Sequence, residues 1–285
     1  MADFYIAKGV TDLSTASITN GASVYFMEGE QTVTAGMNLS ALTTLVDIIF
    51  GPGFAGNVPD LQFDSSGTVR YEASGGSVGL IADGTATEII AKVEHMGFGR
   101  LTAKTAGTIT EWQQGRGIGV IQDSVIATNI RMSGGQLKQY YKSTANTGWT
   151  ISGGTFHTGR GFSGTANVTG GTVIVRREDS SATVPTGGTL NISGPAKVKW
   201  CGGNITALNL LTPDSRVDFT EVVAALTITD ITGFASAIYA SGLPTAAGGT
   251  ATMKSGKVIT LTNAATQFIG KSTQYASGAG DGSHD

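Results

Sequence analysis

A single cysteine, Cys201, in 285 residues excludes an internal disulfide framework and any zinc site built from paired cysteines. Proline is nearly as scarce, with 6 residues, and only 14% of the chain is charged, against about 25% in an ordinary globular protein. No run approaches the ~20 apolar residues of a membrane-spanning helix. The first ten residues, Met1 to Val10, hold no basic segment followed by an apolar one, so no secretory leader is expected. The net charge of −3 supplies no basic excess for a phosphate backbone, and no nucleic-acid partner is expected. The pair Arg176–Arg177 is cancelled at once by Glu178 and Asp179 and reads as a solvated turn.

What fills the sequence instead is Gly, with 42 residues, together with Thr, Ser and Asn, while the apolar fraction stays at 40%. Normal apolar content with low charge argues for a folded chain, because disordered chains show the reverse. Thr and Val suit a pleated surface, and Gly and Asn suit tight turns.

One phrase recurs: an apolar residue, a polar one, glycine, then an apolar β-former. It reads Ile18-Thr-Asn-Gly-Ala-Ser-Val24 near the start, and Ser65-Ser-Gly-Thr-Val69 and Thr105-Ala-Gly-Thr-Ile109 further on. The central copies are Met132-Ser-Gly-Gly-Gln-Leu137, Ile151-Ser-Gly-Gly-Thr-Phe156 and Val168-Thr-Gly-Gly-Thr-Val173. Thr186-Gly-Gly-Thr-Leu190, Ile192-Ser-Gly-Pro-Ala-Lys-Val198 and Met253-Lys-Ser-Gly-Lys-Val258 follow. Leu137 to Phe156 is 19 residues, and Phe156 to Val173 and Val173 to Leu190 are 17 each. A fixed period of this length marks a solenoid, whose units are too short to bury an apolar face alone and must stack. Inward positions are expected at Val69, Ile109, Leu137, Phe156, Val173, Leu190 and Val198.

The expected fold is therefore all-β, a right-handed parallel β-helix over residues 61–262. An antiparallel β-sandwich is the competitor, because paired glycines between strands also signal hairpins. With about 4.8 Å of height per coil, some 10–12 coils would rise roughly 50–60 Å. Residues 1–60 depart from the phrase and are expected to dock and cap. Leu39, Leu42, Leu45, Val46 and Ile49 fall at helical spacing before Gly51-Pro52-Gly53, which predicts a short helix over 38–49. Residues 217–240 fit two strands or a helix, and 263–285 form a Gly/Ser-rich tail with little to bury.

Chemistry is sparse. Glycosidases need two facing carboxyl groups, and the sequence offers only Glu28 with Glu30 and Glu178 with Asp179, which read as solvated. His95, His157 and His284 have no triad partners in evident register, and His157 should face outward where Phe156 faces in. Gly115-Arg-Gly-Ile-Gly119 lacks the βαβ setting of a dinucleotide site. Arg131, Lys138, Arg160, Arg176 and Lys197 lie in the regular stretch with few carboxylates beside them. No catalytic residue, metal ligand or cofactor is assigned. Trp112, Tyr140, Tyr141, Trp149 and Trp200 are the candidate surface contacts, since aromatic faces pack on sugar rings and on other subunits.

The Ser/Thr-Gly-Gly phrase at residues 133–137, 152–156 and 169–173, with no leader, one cysteine and low charge, resembles bacteriophage virion structural proteins of the β-solenoid kind. That resemblance implies a virion location, a homotrimer and no enzymatic activity. It implies capsid or other virion proteins as partners, with Phe4, Tyr5, Ile6 and Phe26 as candidate docking residues. A tail fibre or spike that binds or cleaves host polysaccharide, and a bacterial surface adhesin, are the alternatives.

Overall fold

The computed structural model describes residues 3–6, 18–29, 37–39, 45–64, 66–82, 89–104, 107–122, 125–140, 146–176, 184–219, 228–233, 238–239, 248–253 and 258–262. These residues are all-β, arranged as a β-solenoid with parallel sheets and no helix. The chain divides into two compact units, Met1–Lys142 and Ser143–Asp285.

The first unit runs β1 (Phe4–Ile6), β2 (Val24–Gly29), β3 (Met37–Leu39), β4 (Leu45–Phe54), β5 (Asn57–Phe63), β6 (Ser66–Tyr71), β7 (Ser77–Ala82), β8 (Ile89–His95), β9 (Arg100–Ala103), β10 (Gly107–Gln114), β11 (Ile118–Ile121), β12 (Val125–Met132) and β13 (Gln136–Gln139). Its first sheet has the order β1-β2-β4-β6-β8-β10-β12, and its second β3-β5-β7-β9-β11-β13. Every pairing given by register is parallel, as in β8 to β10 to β12.

Three inward rows climb the first sheet, and β4, β6, β8, β10 and β12 each bury residues at intervals of three and then two. Leu45, Ile48 and Phe50 stand below Ser66, Val69 and Tyr71, then Ile90, Val93 and His95, then Ile109, Trp112 and Gln114. In β6, β8 and β10 two consecutive residues that are not buried separate the first inward position from the second. The segment expected to be a helix over 38–49 is not one where it is described. Residues 45–54 are strand β4, in which Leu45 is buried but Val46 is 39% exposed and Ile49 only half-buried, the inward positions being Ile48 and Phe50, and Leu39 is buried in strand β3. Leu42 lies outside the described residues. Residues 1–60 also hold ladder strands in register, with Phe26 over Phe50, rather than a separate arm.

The second unit runs β14 (Gly148–Ile151), β15 (Thr155–Thr158), β16 (Phe162–Val168), β17 (Thr172–Val175), β18 (Gly187–Ile192), β19 (Lys197–Trp200), β20 (Ile205–Leu210), β21 (Arg216–Asp218), β22 (Ile228–Gly233), β23 (Ile238–Tyr239), β24 (Gly248–Met253) and β25 (Val258–Thr262). Its sheets are ordered β14-β16-β18-β20-β22-β24-β25 and β15-β17-β19-β21-β23. Phe156, Val173, Val198 and Val217 form one inward row. Leu190 belongs to the other sheet, between Ala166 and Leu208. The 17-residue step from Val173 to Leu190 is thus a coincidence of spacing, and Gly187–Gly188 lies inside β18 rather than at a corner. All seven expected inward residues are buried, none more than 2% exposed.

Within residues 217–240 the described residues are the end of β21 with Phe219, and strands β22 and β23; Val222, Val223, Leu226 and Phe234 lie outside them, as does the tail 263–285. β24 and β25 pair antiparallel, so the parallel ladder expected through residue 262 does not include β25.

Four of the corners from the first sheet to the second are three residues long: 115–117, 133–135, 152–154 and 169–171. The last glycine of each has positive φ, +58° at Gly117, +68° at Gly135, +78° at Gly154 and +73° at Gly171. L-residues with a side chain reach that region at a cost of about 1–2 kcal/mol.

Candidate functional site

The most distinctive chemistry of the first unit sits where β8 turns into β9 and β10 into β11. Met96-Gly97-Phe98-Gly99 and Gly115-Arg116-Gly117-Ile118 alternate large residues with glycine. A Cβ on Gly97 would strike the Ala73 backbone, and one on Gly117 would lie 2.5 Å from the Gly99 carbonyl. Packing therefore forbids side chains on the inner side of both corners. The intervening residues are turned outward: Phe98 is 65% exposed, Ile118 44% and Met96 40%. The Arg116 guanidinium lies 5.1 Å from the centre of the Phe98 ring, a cation–π contact worth about 0.5–1 kcal/mol at an exposed site. Arg100 stands beside Ile118 on the neighbouring rung.

Beneath these corners lies a buried polar cluster. The Trp112 indole donates to Gln114 Oε1 at 2.9 Å, and His95 Nδ1 lies 3.1 Å from the same oxygen. Indole nitrogen only donates, so this Gln114 atom is the carbonyl oxygen, and His95 Nδ1 must carry the proton. The Gln114 amide donates to the Arg116 carbonyl and, at 3.4 Å, to that of Gly117. Tyr71 stacks edge-on against His95 at 5.0 Å and donates to the Gly75 carbonyl at 2.6 Å. Burial pushes the His95 imidazole down to about 4, only partly opposed by its contacts to Gln114 and Gly99, and burial also pushes the Tyr71 phenol well up. The cluster pins the backbone that presents Arg116.

The outward face of the first sheet spends its charge internally. Glu94 accepts from Arg70 at 3.0 Å and pairs with Lys92, and Glu111 pairs with Arg131 at 2.9 Å. The hydrogen bond from Lys92 holds the Glu94 carboxyl below its ordinary value, against the opposing effect of burial. In the second unit the corresponding face carries an amide ladder: Asn209 donates to Asn191 at 2.7 Å, and Asn191 to Asn167 at 2.8 Å.

Several expected site residues lie elsewhere than the surface. Trp112, Trp149 and Trp200 are core residues, at most 2% exposed. They point inward because each occupies an inward row. Trp149 packs on Phe162 at 4.5 Å and on Phe156 at 5.2 Å, while Trp200 donates to the Gly203 carbonyl at 2.8 Å. Tyr140 is half-buried with Lys138 over its ring at 4.2 Å, and Tyr141 lies outside the described residues. Of the docking candidates, Ile6 and Phe26 are buried in the ladder and Phe4 is half-buried. Only Tyr5, 63% exposed, faces outward, stacked on Tyr25 at 4.8 Å. Arg160 is a buried residue and His157 an exposed one.

The sequence signal for the Phe98–Arg116 corner was the Gly-x-Gly pair itself, which reading for nucleotide motifs set aside. Groups of three or more metal-ligating side chains are absent among the described residues, and no helix there is long and apolar enough to cross a membrane. No family model, curated protein or solved structure matches this chain.

Proposed function

We propose that the protein is a non-enzymatic structural component of a larger assembly, a virion protein that decorates or stabilises a capsid as a homotrimer. The observation that carries the reading is the state of the outward carboxylates. A general acid needs a raised pKa and a facing partner. Glu94 is instead lowered and tied to Lys92 and Arg70, and Glu111 is tied to Arg131. The two arginine pairs lock rung to rung, and the Lys92 pair lies within β8, so neither carboxylate is left facing a second one. The resemblance of the repeated Ser/Thr-Gly-Gly phrase supplies the virion setting. A stack clamped to neighbouring subunits would favour the assembled state by mass action.

Burial of three tryptophans removes most of the aromatic platform on which a sugar-binding spike was expected. Two measurements test the reading. Sedimentation of the purified chain should give a trimer, and an antibody against it should label intact particles from cells that carry its gene. A monomer, unlabelled particles, or oligosaccharide released from capsule or lipopolysaccharide would overturn it.

A further inference from the structure

We infer that the corner formed by Met96, Phe98, Arg100, Arg116 and Ile118 is a docking surface for a protein segment that sets an apolar side chain between carboxylates. The inference deepens the assembly reading above and rests on it for the class of partner. Two arginines and three exposed large apolar residues are contiguous here. Arg116 stacks on Phe98, Ile118 follows two residues after Arg116, and Arg100 is the register partner of Ile118. Met96 closes the patch, since its sulfur lies against Gly115, the residue before Arg116.

Charge complementarity names the occupant. Among the described residues neither Arg100 nor Arg116 is in an ion pair, in contrast to Arg70 and Arg131 on the first sheet. Arg100 makes one weak contact, to the Thr102 hydroxyl at 3.4 Å. A guanidinium stacked on a ring keeps its N–H edge free for bidentate carboxylate binding. Aromatic residues and arginine dominate the energetics of protein interfaces, whereas lysine and serine are depleted there.

The apolar share decides between classes of macromolecule. A glycan site needs hydroxyl-matching polar groups, and the rim here offers Met96 and Ile118 instead. The patch is also rigid before binding. Gly97, Gly99 and Gly117 leave no room for the corner to fold inward, and Gln114 holds the Arg116 carbonyl from below. A rigid patch loses less conformational freedom on association.

The test uses the full chain and a fluorescent twelve-residue peptide alternating Asp with Leu and Phe. Its Asn-for-Asp counterpart and labelled polygalacturonate serve as comparison probes. The acidic peptide should bind saturably, the neutral one at least fivefold more weakly, and binding should fade as salt rises. Phe98→Ser and Arg116→Glu should each weaken binding at least fivefold while the urea midpoint stays within experimental scatter. Arg116→Lys, which keeps charge but loses the fork, should fall between. Equal binding by wild type and both variants would overturn the inference, as would polygalacturonate binding at this corner without peptide binding. Loss of the trimer in these variants would also overturn it, because the occupant would then be a second copy. A wild-type chain that binds the peptide here yet sediments as a monomer would sink the trimeric reading alone.

Discussion

His95 Nδ1 lies 3.1 Å from Gln114 Oε1, one rung apart and inside the stack, with the Tyr71 ring 5.0 Å away on the other side. A histidine so placed folds neutral. Its pKa falls from 6.5 to about 4, so the unfolded chain binds a proton in this interval while the folded chain does not. Stability is unaffected by this group above pH 7, declines as pH drops from about 6.5 to 4, and levels off below. The full loss is about 3 kcal/mol at 1.36 kcal/mol per unit. His95→Gln, neutral throughout and able to donate to Gln114, should flatten the decline. Urea midpoints at pH 7.5 and pH 5 check it, and parallel pH dependence in both proteins would refute it.

Glycines at different corners should differ sharply in tolerance. Gly135 has φ +68°, and a Cβ there would sit 2.6 Å from the Arg116 carbonyl carbon. Gly75 meets nothing within 4 Å and has no positive φ. Gly135→Ala should cost about 2 kcal/mol or more, combining conformational strain with backbone contact. Gly75→Ala should change stability by less than about 0.5 kcal/mol. Chemical denaturation of the pair is the measurement.

Asn191 both donates to Asn167 and accepts from Asn209. Asn191→Ala should lose about 1–2 kcal/mol for two half-buried bonds. Asn191→Asp should lose more at pH 7, since the charged oxygens cannot donate to Asn167 Oδ1. It should recover below pH 4 as the carboxyl protonates. Thermal melts at pH 7 and 3.5, each referenced to wild type, decide the point.

The chain has three tryptophans, and all are buried to 2% exposure or less. Their fluorescence should be blue-shifted and resist iodide, and added oligosaccharide should leave it unchanged. Ready quenching would return the indoles to the surface. Trp200→Phe should destabilise by about 1–3 kcal/mol, from the lost bond to Gly203 and the space left beside Phe162.

The architecture was readable because corner glycines recur with inward residues behind them. Phe156 and Val173 are register partners at the spacing the phrase suggests. The limits of that reading are physical. Both strand interiors and corners use glycine, the first for close backbone approach and the second for positive φ, so Gly188 and Gly171 look alike in text. Leu45, Val46 and Ile49 have helical spacing in text, yet in β4 only Leu45 of the three faces the core. Aromatic residues carry no mark of facing, and an inward row claims Trp112 while a glycine-flanked corner exposes Phe98. Register, not residue type, separates them.

The two sides of each coil differ in how much chain they accept. The fully described corners from the first sheet to the second run from two residues at 55–56 to five at 72–76 and 211–215, whereas the opposite returns run from two at 64–65 to eleven at 176–186. Added sequence is therefore tolerated more readily in the returns than in the corners. Peptides grafted into the return at 176–186 should be displayed without disturbing the rungs on either side, which makes that flank the natural place for diversification.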